Sequence, residues 1–71
     1  MRYTLTQSET PNHWVCTDTQ YLIVCVFENK KFNESQKMTR LEDFNPNNFM
    51  LLARIMREMG DWIGENHREK V

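Results

Sequence analysis

The chain is poor in glycine and proline, with two of each in 71 residues. Both glycines, Gly60 and Gly64, fall inside one strongly periodic stretch, so no glycine-rich loop is available to cradle a phosphate. A basic excess is also missing: the formal net charge is −1, which disfavours sequence-independent binding to nucleic acid. The longest apolar run, "YLIVCVF" from Tyr21 to Phe27, is far too short to cross a bilayer as a helix. The opening "MRYTLTQSET" holds no apolar core of the kind a secretory signal needs. We therefore expect a cytoplasmic protein with no membrane partner and with reduced cysteines, in which the Asn33-Glu34-Ser35 sequon is inert. Internal repeats and low-complexity linkers are absent.

Potential metal ligands are equally few. His13 and Cys16 have the spacing of half a zinc knuckle, but Cys25 and His67 do not supply the second close pair that structural zinc sites use. No metal and no cofactor are expected. The two cysteines read as small apolar residues buried in strands. A Cys16–Cys25 disulfide is conceivable across a hairpin, yet the expected compartment opposes it. Nucleophilic catalysis needs a thiolate with a base in hydrogen-bond reach. His13 and Cys16 stand at odd spacing on one strand, so they point to opposite faces. The sequence points away from an enzyme.

A chain of this length makes one small domain, residues 1–71, whose core is thin. "MRYTLT" alternates, with Met1, Tyr3 and Leu5 on one side, and reads as a half-buried strand. "QSETPN" is a polar turn, "HWVCT" a second strand, and "DTQ" a break. "YLIVCVF" reads as a central strand, apolar on both faces. If Asn29 and Lys30 form a two-residue turn, Phe27 faces Phe32, Cys25 faces Glu34 and Ile23 faces Gln36. That register puts Tyr21, Ile23, Cys25, Phe27, Phe32 and Met38 on an inner face. Leu22, Val24 and Val26 lie outside with Asn33, Ser35, Lys37 and Thr39. The fourth strand is weakly patterned.

Asn45 then serves as a helix cap and Pro46 as a first helical residue. Over the helix that follows, Phe49, Leu51, Leu52, Ile55, Met56, Met59, Trp62 and Ile63 form an apolar half. Arg54–Glu58 and Arg57–Asp61 have the spacing of side-chain ion pairs. Ala53, Gly60 and Gly64 share one edge, which invites the close approach of another element. The predicted fold is α+β: an antiparallel sheet of three to four strands, packed on one face by a long C-terminal helix.

One helix covers one face of a sheet, so the row Leu22, Val24, Val26 has no cover, and Met50 and Leu51 sit outside or at the margin of the helix's apolar half. Contiguous apolar surface on a soluble protein marks a contact site. The reading is a small non-enzymatic protein-interaction module, self-associating or acting as adaptor or inhibitor of another protein, through Leu22, Val24, Val26, Met50 and Leu51. The alternative is a nucleic-acid-associated regulator using Lys30, Lys31, Lys37 and Arg40. Glu28, Glu34, Glu42 and Asp43 dilute that basic stretch, and lysines also guard sheet edges.

Overall fold

A computed structural model describes residues 2–40 and 49–71, and only the backbone of Arg40 and Phe49. The expectations for Met1, Glu42, Asp43, Asn45 and Pro46 lie outside the described residues. Four strands, β1 (Tyr3–Gln7), β2 (His13–Asp18), β3 (Ile23–Glu28) and β4 (Lys37–Arg40), form one antiparallel sheet in the order β1-β2-β3-β4. A single helical turn, α1 (Phe32–Ser35), separates β3 from β4, and α2 (Phe49–Asn66) follows. The α+β class holds. At 18 residues, α2 is of modest length rather than long.

The period of the strands sorts the side chains. Tyr3, Cys16, Ile23, Cys25 and Phe27 are buried, and alternate residues of β3 are half-buried. On α2, Ile55, Met59 and Ile63 recur every fourth residue, the spacing of one helix face. All three are fully buried. Met59 and Ile63 join Tyr3, Cys16, Cys25, Phe27 and Phe32 in one cluster, flanked by Leu5, Trp14, Met38, Trp62 and Val71. Helix and inner sheet face thus bury each other.

Two connections depart from the sequence reading. The strand begins at Ile23, because Asp18 closes a four-residue turn: its Oδ1 accepts from the backbone N–H of Gln20 (2.9 Å) and Tyr21 (3.3 Å). Leu22 leaves that turn with φ 55°. Beyond β3, the two-residue hairpin is replaced by a helical turn. Ser35 Oγ accepts from Glu28 N (2.8 Å) and donates to Lys31 O (2.6 Å), winding the segment back on itself. Cys25 therefore pairs with Met38 rather than Glu34. The displacement is four positions, an even number, so every residue of β4 keeps its expected face. Phe27 and Phe32 still meet, edge to face at 5.1 Å.

With both glycines in α2, the turns rely on other residues for left-handed backbone. Asn12, Leu22 and Lys30 take φ 64°, 55° and 66°. Lys30 fills this role rather than Asn29, whose Oδ1 instead accepts from Trp14 Nε1 at 2.9 Å. The end of the chain straps this corner: Lys30 N donates to Lys70 O and Phe32 N to Val71 O.

A buried carboxylate ties the layers together. Asp18 is wholly inaccessible, and Arg2 donates to it through Nε and through Nη2 at 3.0 Å. Arg2 Nη1 reaches Glu58 Oε2 on α2 at 3.3 Å. The guanidinium also lies 4.9 Å from the Tyr3 ring centroid and 5.3 Å from that of Tyr21. Asp18 holds the Arg2 guanidinium above its ordinary pKa by that hydrogen bond, against the opposing pull of burial. On the surface of α2, Arg54–Glu58 closes to 3.7 Å, whereas Arg57–Asp61 forms no ion pair among the described residues.

The small-residue edge of α2 divides by environment. A Cβ on Gly60 would stand 2.9 Å from Cε1 of buried Phe32, while one on Gly64 would meet nothing within 4 Å. Glycine in a helix costs about 0.5–1 kcal/mol relative to alanine. Gly64→Ala is expected to stabilise the fold by about that amount. Gly60→Ala should lose stability, since forcing an extra methyl into a packed site costs about 1–3 kcal/mol. Urea denaturation of the two variants against the natural chain checks both signs.

Candidate interaction surface

The sheet's second face is built from the residues that alternate with the core. Register places Thr4, Thr17, Val24 and Thr39 in one row across the sheet, and Thr6, Val15, Val26 and Lys37 in the next. His13 and Glu28 close one end of β2 and β3. Val15, Thr17, Val24 and Val26, in the two central strands, are half-buried. No helix among the described residues lies on this face. The face sets Val15, Thr17, Val24 and Val26 at the centre, Thr4 and Thr6 on the β1 edge, and Thr39 and Lys37 on the β4 edge.

The five residues singled out for partner contact do not share one surface. Val24 and Val26 sit on this open face. Leu22 lies in the β2–β3 turn, half-buried, rather than in the strand. Met50 and Leu51 belong to the first turn of α2, on the other side of the sheet. Met50 is 89% exposed. Leu51, one turn before Ile55 and on nearly the same side of the helix, is half-buried. Sequence reasoning missed Val15 and Thr17, which complete the face. Their signal was the alternation of "HWVCT", whose Cys16 had already been read as buried.

The basic set is dispersed. Lys30 and Lys31 follow the end of β3 at Glu28, and Lys31 pairs with that glutamate at 3.9 Å. Lys37 projects on the open face, opposite Val26. Arg40 pairs with Ile23, at the other end of β3. Lys70, near Lys30 by its backbone, stacks over Trp14 at 4.9 Å and contacts Glu69 at 2.7 Å, which lowers the Glu69 pKa.

Of the groups with chemical potential, only His13 borders this face. Cys16 and Cys25 are direct cross-strand partners, both free, both turned into the core. Burial pushes the Cys16 thiol up to about 12 and the Cys25 thiol to about 11, so neither is a thiolate at neutral pH. His13 lies on the opposite side of β2 from Cys16, with Nδ1 2.8 Å from Pro11 O. His67 stacks on Trp62 at 5.3 Å, and Trp62 on Tyr3 at 5.5 Å. A shallow groove of about 320 Å³ between α1 and α2 is lined by Phe32, Gln36, Met56, Arg57, Gly60 and Asp61. It sets no nucleophile beside a base. No cluster of three metal-ligating side chains occurs among the described residues, nor any helix long and apolar enough to cross a membrane.

Comparison with protein-family models, with curated proteins and with solved structures finds no match to this chain. The reading of its surface therefore rests on its own geometry.

The buried thiols generate a pH test. Their neutral forms are favoured in the folded state, so their contribution to stability is complete below the ordinary thiol value of 9.0 and is lost as pH rises toward about 12. Tyr3, raised mainly by burial, acts in the same direction. Urea midpoints should fall between pH 9 and 11, and Cys16→Ala should show a lower plateau with a shallower alkaline limb. An unchanged limb in that variant contradicts the assignment.

Proposed function

We propose that this protein is a non-enzymatic protein-interaction module whose contact surface is the open sheet face centred on Val15, Thr17, Val24 and Val26. The observation that supports the reading is the field of half-buried valines on the two central strands, which no helix among the described residues covers. Branched apolar side chains on a rigid sheet lose little freedom on docking, and their contact with a second apolar surface removes water from both. The threonine hydroxyls of β1 and β4 supply a polar rim that pairs with backbone or side-chain groups of a partner. Lys37 and Glu28, at one end, fix its orientation.

The module acts by being bound, in cytoplasmic surroundings that keep Cys16 and Cys25 reduced. Met50 and the α1–α2 groove lie on the helix side and are secondary to the valine face. The nucleic-acid alternative has less support, because its four cations are spread over both ends of the sheet and one of them is paired with Glu28.

A photo-crosslinking residue tests the surface directly. Placed at Thr17, in cells producing the protein, it should give a discrete adduct that Val24→Lys abolishes. Placed at Glu65, exposed on α2, it should give none. Val24→Lys should itself remain folded, losing about 1 kcal/mol through strand preference and partial burial. Equal adducts from both positions, or loss of folding in Val24→Lys, contradict the reading.

A further inference from the structure

The two edges of the sheet are unlike. β4 is short and carries Lys37 and Arg40, the kind of cationic edge that resists pairing. β1 is five residues of "YTLTQ", with no charge, no proline and an unbroken register from Tyr3↔Asp18 to Gln7↔Trp14. Such an edge is a template for another strand.

The hydrogen-bond phase of β1 identifies the strand that fits. Thr19 N donates to Arg2 O and Ser8 N to His13 O, so Arg2 and Ser8 are hydrogen-bonded positions of the β1–β2 ladder. Alternation assigns Thr4 and Thr6 to the same set. The N–H and C=O groups of Tyr3, Leu5 and Gln7 therefore point away from β2, toward an edge that no strand among the described residues pairs. That set is symmetric about Leu5. A two-fold axis through Leu5 pairs Leu5 with Leu5 of a second copy, and Tyr3 with its Gln7, in both directions. Every outward group is then satisfied, with about six new backbone hydrogen bonds. Thr4 comes to stand opposite Thr6 of the second copy, a favourable cross-strand pair. No like charges meet, since Arg2 of one copy falls opposite Ser8 of the other.

We infer that the protein pairs with a second copy of itself through β1, joining two four-stranded sheets into one of eight strands. The inference deepens the proposed function and rests on it for the purpose of the pairing. Four strands about 4.8 Å apart and about five residues long, at about 3.3 Å each, give the valine face a footprint of roughly 300 Å². Stable interfaces use about 800 Å² per partner. One copy offers less than half of that, and two copies roughly three quarters. Two copies joined at β1 lay both valine fields side by side on the same surface, since the two-fold axis runs perpendicular to the sheet.

Charge exchange tests the register. Thr4 and Thr6 are both exposed, so substitution leaves the core intact. The natural chain should sediment as a dimer whose fraction grows with concentration. Thr4→Lys/Thr6→Lys places lysines opposite lysines and should raise the dimer Kd at least about tenfold, as should Thr4→Glu/Thr6→Glu. An equimolar mixture of the two variants should dimerise again, while Val24→Lys should dimerise like the natural chain. A natural chain that stays monomeric overturns the pairing and leaves the valine face to be judged by its own crosslinks. Loss of the dimer in Val24→Lys but not in the lysine pair overturns it in favour of face-to-face association.

Discussion

The fold depends on one buried carboxylate. Asp18 ends β2, and its two oxygens accept from the β2–β3 turn and from Arg2. Through the turn it sets where β3 begins, and so which residues of β3 face inward. Through Arg2 it fastens the first strand, and Glu58 carries the same guanidinium to α2. A fully buried carboxylate without such partners would be strongly destabilising, whereas here each oxygen is met by charged or backbone donors. The aromatic rings of Tyr3 and Tyr21 flank the cation, and Trp62 and His67 extend the stack along the helix.

Once the phase of β3 is fixed, the sheet has two chemically distinct faces. Ile23, Cys25 and Phe27 meet the stripe Ile55, Met59, Ile63 of α2 on one. Val24 and Val26, with Val15 and the threonines, are left on the other. The same alternation governs the backbone at the edge: residues of β1 whose amides serve β2 alternate with residues whose amides serve nothing among the described residues. An apolar face and an uncharged, unpaired edge are thus two consequences of one arrangement. The proposed second copy at β1 would pair the edge and set the two apolar faces side by side.

Strand parity was legible in the sequence because it depends only on alternation. "IVCVF" assigns its own faces, and the four-position error in the β3–β4 register left that assignment untouched because the error was even. The apolar stripe of α2 was legible for the same reason, with a different period. What could not be read were features made by distant partners. An aspartate before Thr-Gln suggests a side-chain-closed turn, but nothing local says that Arg2 will neutralise it. The helical turn at Phe32–Ser35 hangs on a hydroxyl shared between Glu28 and Lys31, which no pattern of polarity encodes. Left-handed backbone at Leu22 runs against the residue's own preference and is imposed by the turn. Of the candidate surface, Val24 and Val26 were legible. Val15 and Thr17 were concealed by the buried Cys16 between them, and Leu51 was placed at the margin of the apolar half although it lies nearly in line with Ile55.

Amide hydrogen exchange along β1, followed residue by residue at dilute and at high protein concentration, reads the pairing of two copies without altering the chain. At dilution, protection should alternate, with Thr4 and Thr6 slow and Tyr3, Leu5 and Gln7 fast. At high concentration the three odd-numbered amides should become slow together. Odd-numbered amides that exchange freely at every concentration would contradict the account.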